Sequence, residues 1–118
     1  MKSICVMRDV YKAITTFEIN FEKVHGLSLN EAMILCLLKD VGRGMTSTAI
    51  AENTEMTPSN TSKVIRSVEE KGLIERAVGA VDKRQMYFSL TDAGRDKLTT
   101  LNCDEIQIPE LLKPLLER

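Results

Sequence analysis

Thr57-Pro58-Ser59-Asn60-Thr61-Ser62-Lys63-Val64-Ile65-Arg66-Ser67-Val68-Glu69-Glu70-Lys71-Gly72-Leu73-Ile74-Glu75-Arg76 is the stretch from which the fold is read. Thr57 before Pro58 predicts a helix start, because the threonine hydroxyl can accept from an orphan amide and proline at the first helical position needs no N–H. The helix runs to about Lys71 and stops at Gly72. At 100° per residue, Thr61, Val64, Ile65 and Val68 fall on one side and hold the helix to the body. Ser59, Ser62, Lys63, Arg66 and Ser67 project away, with Asn60 at the edge. An ordinary surface helix carries Glu and Lys pairs outward. This one offers hydroxyls, an amide and two cations, with no acid before Glu69, a set suited to phosphate oxygens and base edges.

Outward in both directions the pattern is that of a helix pair followed by a ribbon. Residues 73–78 and 86–90 read as two short strands, and residues 79–85 as a polar hairpin tip. Upstream, after Gly42 and Gly44, Thr46 or Ser47 caps a brief helix through Ala49, Ile50, Ala51 and Glu52. Two short helices and a two-stranded ribbon make a winged helix-turn-helix, whose second helix enters the major groove. Before it, Ser28-Leu29-Asn30-Glu31 forms a capping box. The body that follows, residues 32–38, is apolar on every side, so that helix is expected to be buried on several faces, with Cys36 a packed core thiol.

The chain begins with a long helix ended by Gly26. Its Met7, Val10, Ile14, Phe17, Phe21 and Val24 recur at spacings of 3, 4, 3, 4 and 3 and share one stripe, either a core face or a dimer seam. After the ribbon, Thr91 or Asp92 caps a fifth helix to about Asn102, and Pro109 opens a last one with Leu111, Leu112, Leu115 and Leu116. The expected fold is mainly α with a small β-ribbon. It is a single domain over residues 1–118, with residues 29–91 as the winged helix-turn-helix and residues 1–26 and 92–118 as a helical dimerisation part.

Composition narrows the function. The 118 residues are 43% hydrophobic and suit one globular domain. No run of eighteen apolar residues occurs, and Arg8 and Asp9 interrupt the early apolar residues, so neither a membrane span nor a signal peptide is expected; the chain reads as cytoplasmic. Cys5, Cys36 and Cys103 lack any C-x-x-C spacing, and His25 stands alone, so no metal site, cofactor or catalytic triad is expected and the chain is not read as an enzyme. The net charge is -1, yet residues 57–97 carry eight basic against six acidic residues while both flanks are acidic.

Four segments in this order resemble the MarR family of bacterial transcriptional regulators, over roughly residues 29–98. They are Met45-Thr46-Ser47-Thr48-Ala49-Ile50-Ala51, residues 62–76, Asp82-Lys83-Arg84, and Leu90-Thr91-Asp92-Ala93-Gly94. The resemblance implies a homodimer with interdigitating terminal helices, a fourth helix in the major groove, a wing arginine in the minor groove, and in many members release of DNA by a small aromatic effector. On that footing Arg84 enters the minor groove, Asp82 orients it through charge-assisted hydrogen bonds, and Lys83 adds charge. Phe17, Phe21, Met33 and Leu37 are the candidates for an effector pocket.

Two departures from the family pattern stand out. The bend between the third and fourth helices has Thr54 and Glu55 where an apolar residue and glycine are usual. The tail after Leu98 is short, which shifts the weight of dimerisation toward the first helix. Relatives include cysteine-based peroxide sensors, and Cys5 has only Lys2 and Arg8 nearby to lower a thiol pKa, so it reads as inert or redox-active. The expected function is a sequence-specific regulator of transcription, a repressor, bound to double-stranded DNA. The rival is a winged helix for protein association without DNA binding.

Overall fold

A computed structural model describes residues 2–79, 81–101 and 114. Cys103 and the four leucines of the expected last helix lie outside the described residues. The order is α1 (Lys2–His25), α2 (Leu29–Val41), α3 (Ser47–Thr54), α4 (Pro58–Glu70), β1 (Ile74–Val78), β2 (Met86–Leu90) and α5 (Asp92–Thr100). The fold is mainly helical with a small β-ribbon, a winged helix-turn-helix. It divides into two compact units, one holding α1 and the other, Asn30–Thr100, carrying the rest of these elements.

In the first unit, α1 ends where Gly26 turns to a positive φ of 69°. Phe17 and Phe21 stack with centroids 6.0 Å apart, and the buried His25 ring lies 4.7 Å from Phe21. The N-terminal half of the helix is bare: Ile4, Met7, Tyr11 and Ile14 are all exposed.

The second unit is built as the caps dictate. Thr46 accepts from the Ala49 amide at the start of α3, and Thr57 accepts from the Asn60 amide at the start of α4, with Pro58 in the first turn. The core collects Ile34, Leu35 and Leu38 from α2, Ile50 from α3, Ile65 and Val68 from α4, and Ile74, Phe88 and Leu90 from the strands. The ribbon is antiparallel, with Ile74 opposite Leu90 and Val78 opposite Met86. Met45 joins its edge by exchanging two backbone hydrogen bonds with Phe88, 2.9 and 2.8 Å long.

α5 fits closely on the turn before β1. Thr91 Oγ1 donates to the Gly72 carbonyl and accepts from the Gly94 amide. A Cβ on Gly94 would overlap the Leu73 carbonyl, so the position takes no larger residue without moving α5.

One expectation about α2 is corrected. Met33 and Cys36 are exposed, whereas Glu31, Ala32, Ile34, Leu35 and Leu38 are buried. Residues three and four apart share a helix face, so a helix covered on one side leaves such a set outside however apolar it is. Cys36 is therefore not a packed core thiol in this chain.

The bend between α3 and α4 is made by Glu55, with φ 59° and ψ 23° in the left-handed region. The turn forms without glycine, at the conformational cost a side chain incurs there.

Candidate nucleic-acid interface

α4 is amphipathic in the expected sense. Thr61, Ile65 and Val68 are buried, Val64 is half-buried, and Ser59, Asn60, Ser62, Lys63 and Arg66 are exposed. Thr61 spends its hydroxyl locally by donating to the Thr57 carbonyl at 2.8 Å. Asn60 Nδ2 lies 3.5 Å from the sulfur of Met56. Among the described residues, neither Lys63 nor Arg66 forms an ion pair, so both cations are available to an anionic partner.

Ser67 differs from the other outward residues. It is half-buried, and its hydroxyl donates to Glu31 Oε2 at 2.7 Å. Lys71 Nζ donates to both oxygens of the same carboxylate at 2.9 and 2.8 Å. These partners lie 36 and 40 positions away, beyond the reach of the local capping pattern around Glu31.

Arg76 of β1 forms a second pair between elements. Its Nε and Nη2 donate to the two oxygens of Glu69, each at 2.7 Å, and its guanidinium lies 5.4 Å from the centre of the Phe88 ring. This bidentate contact lowers the Glu69 carboxyl pKa and raises that of Arg76. The first acid on α4 is thus neutralised and the helix is tied to the ribbon.

At the wing tip Asp82 and Arg84 are hydrogen-bonded. Gly79 N donates to the Gln85 carbonyl and Gln85 N to the Asp82 carbonyl, which closes the hairpin. Asp82 Oδ1 accepts from the Arg84 amide at 2.9 Å and from Arg84 Nε at 3.2 Å, and Oδ2 accepts from Nη2 at 3.4 Å. These contacts, the side-chain ones first, hold the Asp82 carboxyl below the usual range. Arg84 itself remains 91% exposed, anchored on one edge and open on the rest. Lys83 is exposed beside it.

The other candidates are more scattered. Phe17 and Phe21 belong to the α1 unit, Met33 and Leu37 to the other, and only Phe21 of the four is buried. Cys5 is exposed on α1. Among the described residues no helix is long and apolar enough to cross a membrane.

The family model described as the MarR family matches residues 25–85, which take in the segment from the end of α1 to the wing tip. An uncharacterized HTH-type transcriptional regulator of Bacillus subtilis (strain 168), YdcH, is 32% identical over 92 residues, which span 78% of this chain and 59% of that protein. The YusO protein of Bacillus subtilis has a similar structure, with TM-score 0.66 and 26% identity, over 83% of this chain and 69% of that one. A MarR transcription factor from Planctomyces limnophilus superposes with TM-score 0.77 at 24% identity, over 98% and 88% of the two chains. The S. aureus MepR–DNA complex gives TM-score 0.75 at 20% identity, over 99% and 83%. At such identities the last two speak for the fold alone.

Proposed function

The chain belongs to the MarR family, and from that premise we propose that it is a cytoplasmic transcriptional repressor that binds double-stranded DNA as a homodimer and reads its sequence through α4. The observation that carries this reading is the outer face of α4, where Lys63 and Arg66 stand among small hydroxyls without acidic partners among the described residues, while the opposite side is locked into the core. That face suits the major groove, with the cations reaching base edges or phosphates and Ser59, Asn60 and Ser62 nearer the helix N-terminus, whose orphan amides and dipole favour phosphate. The wing adds Arg84, held by Asp82 and aimed outward as a narrow minor groove requires. Ser67 is given to Glu31 and supports this face from behind. That MepR, a protein of the same fold, has been captured with DNA supports the assignment. Response to a small aromatic effector belongs to the same proposal, and a compound that shifts duplex affinity in a screen is its check.

Selection of bound duplexes from a random pool is the direct test. Enrichment of an inverted repeat, bound with an affinity that falls steeply with salt, is the expected result. No duplex affinity at moderate salt would instead favour a winged helix that docks on protein.

A further inference from the structure

Ser59, Lys63, Ser67 and Lys71 recur every four residues and so form one inclined row along α4 and its C-terminal cap. The row has two fates. Ser59 and Lys63 are exposed, whereas Ser67 and Lys71 are clasped by one carboxylate, that of Glu31 in the first turn of α2. Glu31 is only 5% exposed. A carboxylate so desolvated is tolerable only when its oxygens are well paired, and such pairs add less to net stability than to the uniqueness of an arrangement. Of the other anchors of α4, Thr61, Ile65 and Val68 hold it by packing, which is non-directional, and the Glu69–Arg76 pair ties its last turn to β1. Hydrogen bonds are directional and weaken steeply with misalignment. Two donors one turn apart on a single carboxylate therefore constrain both the rotation of α4 about its axis and its position along it, beside the Glu69–Arg76 pair.

We propose that Glu31 is a positioning residue for DNA reading: through Ser67 and Lys71 it sets the angle at which Lys63 and its neighbours meet base edges. The inference rests on the assignment of α4 as the reader. Base contacts require placement within about 0.5 Å and 10–20°, whereas phosphate contacts by long flexible cations tolerate more. Loss of the clasp thus lowers sequence preference rather than general attraction to DNA. The sign is opposite to that of bulk electrostatics, in which removing an acid strengthens binding to a polyanion.

The test uses the full chain, the duplex selected from the random pool and an unrelated duplex of equal length, each at several salt concentrations. Glu31→Gln keeps the shape and one acceptor but loses the charge. It is expected to bind the selected duplex about tenfold more weakly, with the unrelated duplex bound as tightly or more tightly and the salt slope unchanged. Lys71→Met is expected to lower the ratio of selected to unrelated affinity in the same way and carries the test if Glu31→Gln fails to fold. The double variant should show a ratio no lower than the worse single one, because both remove one clasp. Unchanged or tighter binding of the selected duplex by Glu31→Gln overturns the proposal, as do losses on both duplexes in proportion to the folded fraction, or additive effects in the double variant. Wild-type protein with no preference for any duplex overturns the reader assignment and this inference together. A wild-type preference that Lys63→Ala abolishes and Glu31→Gln leaves intact overturns this inference alone.

Discussion

Glu55 is, among the described residues, the one non-glycine with a positive φ, and it sits where the chain turns from α3 into α4. A left-handed side chain costs roughly 1–2 kcal/mol, less for asparagine, whose short side chain tolerates the region. Glu55→Asn should therefore raise stability by about 0.5–1 kcal/mol, and Glu55→Val should lower it by about 1 kcal/mol or more, as read from urea midpoints at constant m-value. Equal midpoints for the three proteins would mean that the bend relaxes without penalty. The departure at Glu55 was visible in the sequence as a missing glycine, but whether the turn would survive it was not, since that depends on what the packed helices on either side impose. Glu31 is the reverse case. Its neighbours in sequence justify a local cap, and nothing local announces Ser67 and Lys71, because a carboxylate buried by tertiary contact leaves no periodic trace. Asp82 was legible because its partner is two residues away. Its depressed pKa fixes the sign of a pH effect: the Asp82–Arg84 contact is favoured while Asp82 is ionised, is fully present above the ordinary aspartate range near about pH 4, and is lost only as pH falls through the lowered value. The ratio of wild-type to Asp82→Ala duplex affinity should thus be flat from about pH 6 to 8, and a ratio that changes across this window would assign the pH effect to another group.

At the scale of elements, the two DNA-facing parts should fail differently. If Lys63 or Arg66 makes a bidentate base contact, its replacement by alanine should cost about 1–3 kcal/mol on the preferred base and relax choice at one position of the site. Arg84→Ala should weaken binding to most sequences alike and reduce the salt slope by roughly one unit. Asp82→Ala should also weaken binding although it removes a negative charge, because the guanidinium it held at 3.2 Å becomes free to wander. Repeating the duplex selection with each variant separates these outcomes, and unchanged site preference in both α4 variants would remove base readout from that helix. α4 itself was readable nearly to the residue, since Thr57-Pro58, Gly72 and the spacing of Thr61, Ile65 and Val68 all act within one element. The third contributor to the ribbon was not, because the Met45–Phe88 bridge joins residues far apart whose only shared signal is backbone hydrogen bonding. The same limit hid the Glu69–Arg76 pair, in which two charges counted separately turn out to hold α4 to β1.

At the scale of the whole molecule, α1 shows what a composition count cannot. The stripe through Met7, Ile14 and Phe21 was evident from spacing, yet a stripe looks the same in sequence whether its own chain or a second copy covers it. In the structure Phe21 is buried and Phe17 half-buried, while Ile4, Met7 and Tyr11 are 72, 66 and 73% exposed and Ile14 and Val24 are also exposed. Ile4, Met7, Tyr11 and Ile14 follow at spacings of 3, 4 and 3, so they form one continuous apolar surface. A soluble monomer seldom leaves such a surface to water, and a symmetric partner offering the same stripe is the simplest cover for it. The homodimer we propose then brings two copies of α4 to one DNA, and linking two half-site contacts raises avidity by about 10²–10⁴ without any new contact to a base. Ile14→Glu places a charge at the C-terminal end of the bare part of the stripe while sparing the Phe17–Phe21 pair. It should sediment as a monomer at tens of micromolar, roughly the range in which a modest dimer is still assembled, and should lose about a hundredfold in affinity for an inverted repeat. Affinity for an isolated half-site should change little, because α4 and the wing are untouched. Lys12→Glu, exposed on the same helix but off the stripe, provides the control and should remain dimeric. Wild-type protein that is monomeric at these concentrations, or an Ile14→Glu variant that dimerises normally, would show that some other surface joins the two half-sites.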